Sequence, residues 1–96
     1  GAKLFYPPTF LLLDYLIQYA QRAEIKKGET LILKQTREEL YEEVSISVKT
    51  LNRTISKLKQ DEVISIIKGK IAISYDQYKL AKKMVKYYVK QDVKNN

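Results

Sequence analysis

Hydrophobic positions recur with a helical period near the start of the chain. Phe10, Leu13, Leu16, Ile17 and Ala20 fall three or four residues apart, behind Pro7-Pro8. A proline is well tolerated in a first helical turn, so this spacing predicts a helix over about residues 8–23. Lys26-Lys27-Gly28 reads as a connection, and Leu31-Ile32-Leu33 as a short β-prone run. Thr36-Arg37-Glu38-Glu39 has the form of a capping box and opens a second helix over about residues 37–44. Ser45-Ile46 is a tight break. Ser47 then caps a third helix over about residues 48–60, in which Val48, Leu51, Ile55 and Leu58 form one buried stripe.

After Asp61-Glu62 the pattern changes. Val63-Ile64-Ser65-Ile66-Ile67 is rich in β-branched residues, Lys68-Gly69-Lys70 is a turn, and Ile71-Ala72-Ile73-Ser74-Tyr75 is a second strand. The pair predicts a β-hairpin. Asp76 caps a last helix over about residues 77–91, with Leu80, Met84 and Tyr87 on one face. The class is therefore α+β. The architecture is a winged helix-turn-helix, mostly helical, with a small antiparallel β-hairpin wing and an extra C-terminal helix. One domain spans residues 1–96. Its helix-turn-helix covers about 36–60 and its wing about 63–75.

Composition narrows the chemistry. The 96 residues contain no Cys and no His, which removes disulfides, thiolate metal sites, Cys nucleophiles and Ser-His-Asp triads. Gly1, Gly28 and Gly69 stand too far apart for a dinucleotide or P-loop motif. No cofactor and no catalytic role is expected, and a hydrolase built on Ser and Lys has no motif behind it. The apolar run Phe10–Leu13 is interrupted by Asp14 and Gln18, so no membrane span and no membrane partner is expected. No charged leader with a cleavage site precedes it, and a cytoplasmic location follows as the expectation. Gly1-Ala2 in place of an initiator Met reads as a cloning scar or an internal start, and a fragment of a longer polypeptide is the expectation.

The net charge of +7 is unevenly spread. The second helix carries Glu38, Glu39, Glu42 and Glu43 against Arg37 alone. The segment Ser47–Gln60 carries Lys49, Arg53, Lys57 and Lys59 and no acid. An acidic helix followed at once by a basic one implies that only the second faces a polyanion. At about 100° per residue, Lys49, Asn52, Arg53, Ser56 and Lys57 cluster opposite the apolar stripe. Arg or Lys suits the acceptors of guanine in a major groove, and Asn suits adenine. The bland alternative is a solvated helix face; the flanking helix, turn and hairpin favour DNA. The Ser47 hydroxyl caps the helix, and the N–H groups that follow it form a seat for phosphate. Lys68 and Lys70 flank the wing turn, suited to backbone contact that reads no sequence.

The last helix bears a stripe of Lys79, Lys82, Lys83, Lys86 and Lys90. A solvated face is the first reading of it, with DNA phosphate or an anionic membrane surface as alternatives. The eight tyrosines are scattered over several elements, which suits core rims and subunit contacts better than base stacking. The glutamate pairs of the second helix read as solvated charge.

Three strings carry a family resemblance: Thr36-Arg37-Glu38-Glu39-Leu40, Ser47-Val48-Lys49-Thr50-Leu51-Asn52-Arg53, and Leu58 with Val63-Ile64. From Leu31 to Tyr75 the sequence resembles the DNA-binding domain of the Crp–Fnr family of bacterial transcription regulators. The helix Phe10–Ala23 looks like the one that opens that domain, and Ile55–Ile64 is similar to PrfA-like members, which also carry extra C-terminal helices. The resemblance implies sequence-specific binding of double-stranded DNA by a homodimer on a two-fold symmetric operator, with RNA polymerase as a further partner. It implies a missing N-terminal effector-sensing domain. Family base-reading positions fall on Val48, Lys49, Asn52 and Arg53, and phosphate-contacting positions on Thr36, Arg37, Ser47 and Thr50. To these the charge pattern adds Ser56 toward bases, and Lys57, Lys68 and Lys70 toward phosphates. Many members have Glu at Lys49 and several have Arg at Val48, so a different operator is expected. The small residue expected between the two motif helices is Tyr41, and the turn glycine is Ser45. A MarR-like regulator or replication protein shares the same DNA mechanism. A winged helix used for protein–protein contact would instead show an apolar outer face.

Overall fold

Four helices and a three-stranded sheet form in the order helix, strand, helix, helix, strand, strand, helix: α1 (Pro8–Arg22), β1 (Thr30–Ile32), α2 (Arg37–Val44), α3 (Val48–Gln60), β2 (Ser65–Ile67), β3 (Lys70–Ser74) and α4 (Tyr75–Asn95). This computed structural model describes the backbone of residues 6–95 and the side chains of residues 6–89. Gly1-Ala2 and the side chain of Lys90 lie outside them. Pro8 opens α1 at a position where a missing N–H costs nothing. Leu12, Leu13, Leu16 and Ala20 are fully enclosed on its inner side. The core joins the three leucines to Leu33, Leu40, Leu51, Ile55, Leu58 and Ile73. α1 is the central support, since α2, α3 and α4 all pack on it.

Three helices end in one way. Glu24, Ser45 and Glu62 adopt left-handed φ values of 53°, 58° and 60° just past α1, α2 and α3. In each case the next N–H reaches back to the last turn: Ile25 to the Ala20 carbonyl at 3.1 Å, Ile46 to Tyr41 at 3.4 Å, Val63 to Leu58 at 2.9 Å. These are Schellman-type ends built without glycine. The third of them corrects the predicted hairpin. Val63 and Ile64 are buried, but both N–H groups bond the Leu58 carbonyl, so they close α3 and do not join the ladder. β2 begins only at Ser65.

The sheet order is β1-β3-β2, antiparallel throughout, with Leu31 opposite Ile73 and Ile66 opposite Ile71. The β-prone run before α2 is thus a paired strand on the outer side of the hairpin. β3 is the central strand, and Ile71, Ala72 and Ile73 are all buried on it, the continuous apolar pattern of a strand covered on both faces. The two-residue turn Lys68-Gly69 has φ values of 51° and 80°, as a type I′ hairpin turn demands. α4 starts one residue before Asp76. Its cap is Ser74, whose Oγ accepts from the Gln77 N–H at 3.1 Å while Gln77 Oε1 accepts from the Ser74 N–H at 3.0 Å. The predicted Asp76 cap is therefore replaced by a Ser74–Gln77 capping box, and Asp76 sits in the first turn. The Gln77 amide also donates to the Glu62 carbonyl at 3.0 Å and to Ser65 Oγ at 3.2 Å, tying α4 to both ends of the segment that leads into the wing.

Candidate nucleic-acid interface

The orientation of α3 decides what it can touch. Leu51, Thr54, Ile55 and Leu58 face the core. Val48 does not: it is 42% exposed, because the first turn of α3 projects beyond the residues that bury the rest of the stripe. The predicted stripe is corrected at that position. Thr54 replaces Val48 as the fourth inward residue, and its hydroxyl is satisfied by donating to the Thr50 carbonyl at 2.8 Å. Val48 instead stands at the edge of the outward face.

That outward face gathers Lys49, Asn52, Arg53, Ser56 and Lys57, all exposed, with Gln60 at its far end. No acid lies among them. Lys49 and Arg53 are one turn apart, and neither has an ion pair or hydrogen bond among the described residues, so their donors are available to a ligand. Lys57 reaches Asp61 at 3.8 Å, an exposed pair that contributes little. Asn52 is held from outside its own helix: Arg37 Nη1 donates to Asn52 Oδ1 at 3.0 Å. The Asn52 amide N–H₂ remains free.

Hydroxyls sit at both helix starts. Ser47 Oγ accepts from the Thr50 N–H at 3.2 Å and donates to Thr50 Oγ1 at 3.0 Å, which leaves the Thr50 hydroxyl proton free to donate outward. Thr36 Oγ1 accepts from the Glu39 N–H at 3.1 Å, and the Thr36 N–H donates to Glu39 Oε1 at 3.0 Å. Both capping predictions hold. The bonds from Thr36 keep the Glu39 carboxyl below the usual carboxylate range. Lys68 stands exposed at the wing tip, whereas Lys70 bends back, its Nζ donating to the Lys34 carbonyl at 3.3 Å. The two wing lysines therefore present separate charges, Lys68 at the tip and Lys70 beside the start of α2.

The glutamates of α2 are not uniformly solvated. Glu39 completes the capping box, and Glu43 accepts a hydrogen bond from the Tyr15 hydroxyl across the α1–α2 contact. Burial and the Glu43 carboxylate together push the Tyr15 hydroxyl far above the ordinary phenol range. Only Glu38 and Glu42 remain free of such ties among the described residues. Tyr15, Tyr19, Tyr41 and Tyr78 pack half-buried against the core. Tyr41, on α2, is accommodated half-buried at the edge of the core.

Ser45 holds the turn between α2 and α3 at φ 58°, ψ 42°. A non-glycine residue pays about 1–2 kcal/mol for that conformation, partly offset by the greater flexibility glycine gives the unfolded chain. Ser45→Gly should therefore stabilise the domain by about 0.5–1 kcal/mol, raising the melting temperature by about 2–8 °C. A lower melting temperature would place Ser45 outside the left-handed region.

A tight helix pair, its second member cationic on the outer face, followed by a strand hairpin defines a winged helix-turn-helix DNA-binding domain. A family model described as the Crp-like helix-turn-helix domain matches residues 11–80. The chain belongs to this family, a DNA-binding domain of transcription regulation, and DNA is its partner. No curated protein and no solved structure is significantly similar to it. Among the described residues no helix is long and apolar enough to cross a membrane.

Proposed function

We propose that this domain recognises a specific double-stranded DNA sequence for a bacterial Crp–Fnr-type regulator, with α3 lying in the major groove. Lys49, Asn52 and Arg53 meet base edges, Ser56 follows one turn later, and Val48 offers an apolar contact of the kind a thymine methyl accepts. Thr36, Arg37, Ser47, Thr50, Lys57, Lys68 and Lys70 meet phosphates and fix the register without reading sequence. The observation that carries this reading is the acid-free arc of α3, turned outward by the burial of Leu51, Ile55 and Leu58. Arg37 contributes twice, as a cation near the backbone and as the group that orients the Asn52 carbonyl. Residues 1–96 act as one such domain of a cytoplasmic regulator whose effector-sensing part precedes it. In that protein a homodimer meets two half-sites about one helical turn apart, with RNA polymerase as a further partner.

Selection from a randomised duplex pool, followed by titration of the winner across salt, tests this. The four cations among these phosphate contacts, Arg37, Lys57, Lys68 and Lys70, predict a log–log slope of roughly −4. A fourfold rise in salt then weakens binding by about 250-fold. Selection that enriches no sequence, or a slope near zero, would refute the reading.

A further inference from the structure

The lysines of α4 take no part in that recognition. Lys79, Lys82, Lys83 and Lys86 repeat at intervals of three and four residues, and no acid lies between Asp76 and Asp92. Like charges at these spacings weaken a helix. No carboxylate offsets them: the ion pair among the described residues is Lys57–Asp61, on α3. Two of the lysines rest on tyrosine rings instead, Lys79 Nζ 5.7 Å from the Tyr75 centroid and Lys82 Nζ 4.7 Å from that of Tyr78. Each ring face partners an ammonium group and leaves its outward N–H donors open to a ligand. Lys79, Lys83 and Lys86 are exposed.

Uncompensated charge of this density complements a polyanion. Lysine without arginine lacks the forked donors that read bases, and as a compact point charge it suits phosphate. Lys79 and Lys86 are separated by about 10 Å along the axis. One strand of a duplex presents about three phosphates over that length. The face is also distinct from the first. α3 and α4 both bury their inner sides against α1, so their cationic faces turn outward from it, on a body with extents of 40 × 30 × 24 Å. The recognition proposed for α3 gives the α4 lysines no partner.

We propose that the α4 lysine face is a second, sequence-independent docking surface for double-stranded DNA, so that one domain holds two duplex segments. The site does not depend on which α3 residues read bases. The test is a capture assay: immobilise a short duplex, saturate it with the domain, wash, and offer a second, labelled duplex at low salt. The unaltered domain should retain the label, and retention should fall with salt at a slope of about −3. The triple variant Lys79→Gln, Lys83→Gln, Lys86→Gln should bind the immobilised duplex within about threefold of the original yet lose at least about tenfold of the label. The corresponding triple arginine variant should restore capture, which separates charge from damage to the helix. The proposal is overturned if the original domain captures no label. It is equally overturned if the glutamine variant captures as well as the original, as it would were two α3 faces of a dimer the bridge. Lysine-dependent binding to phosphatidylglycerol vesicles without duplex capture would assign the face to membranes and also reject it.

Discussion

Leu51→Ala should destabilise the domain by about 3–4 kcal/mol, the largest effect expected of any single substitution in α3. Leu51 is fully buried among α1, α2 and α3 core residues. Truncation removes its transfer free energy and leaves a cavity that rigid neighbours on two other helices fill only in part. A domain of this size has a total stability of about 5–10 kcal/mol. The loss therefore amounts to a melting temperature lower by roughly 15–30 °C. Val48→Ala, three residues earlier in the apparent stripe, should cost under about 1 kcal/mol, because Val48 is already 42% exposed. The contrast bears on function as well as stability. Whichever residues α3 buries determine which it presents, so the rotation of this helix on the core places Lys49 and Arg53. Thermal or urea unfolding of both variants decides it. Equal losses would mean that α3 sits rotated on the core, and the cationic arc with it.

What a sequence reading can reach here follows from the range of each interaction. The limits of α2 and α3 were legible because Thr36 and Ser47 cap N–H groups three residues away, and such local bonds leave a local signature. The helix ends were not marked by the usual glycine. Glu24, Ser45 and Glu62 take the left-handed conformation on the strength of the Schellman bonds and of the buried Ile25, Ile46 and Val63 that follow. That is also why Val63 and Ile64 looked like a strand: β-branched residues serve equally to seal a helix end. The pairing of β1 with β3 was invisible, since a three-residue run finds its partner some forty positions later. That Lys49, Asn52, Arg53, Ser56 and Lys57 share an exposed face follows from helical spacing alone, but the bond from Arg37 to Asn52 spans fifteen residues and two elements. Glu43 reads as solvent-facing from sequence because nothing in α2 announces Tyr15 of α1.

Arg53→Ala should weaken binding to the selected site by about 1–3 kcal/mol, or about 5- to 150-fold, and relax one base position. Stability should hold within about 0.5 kcal/mol, since Arg53 is exposed, has no partner among the described residues and is replaced by the best helix former. The informative companion is Arg53→Lys. It keeps the charge but loses the planar fork that matches two guanine acceptors at once. If Arg53 reads a base, the lysine variant should regain non-specific affinity and the salt slope, yet remain close to the alanine variant in its preference among sequences. If Arg53 only attracts phosphate, lysine should restore everything and alanine should weaken all sequences alike. Competition between the selected duplex and a scrambled one, run for the three proteins at fixed salt, separates these outcomes. Lys49, one turn away on the same face, should then carry more of the remaining discrimination in the alanine variant. The double variant Lys49→Ala, Arg53→Ala should lose at least about tenfold of the preference for the selected duplex and keep only the part that Asn52 and Ser56 supply. An undiminished preference in that double variant would move base reading wholly to Asn52 and Ser56.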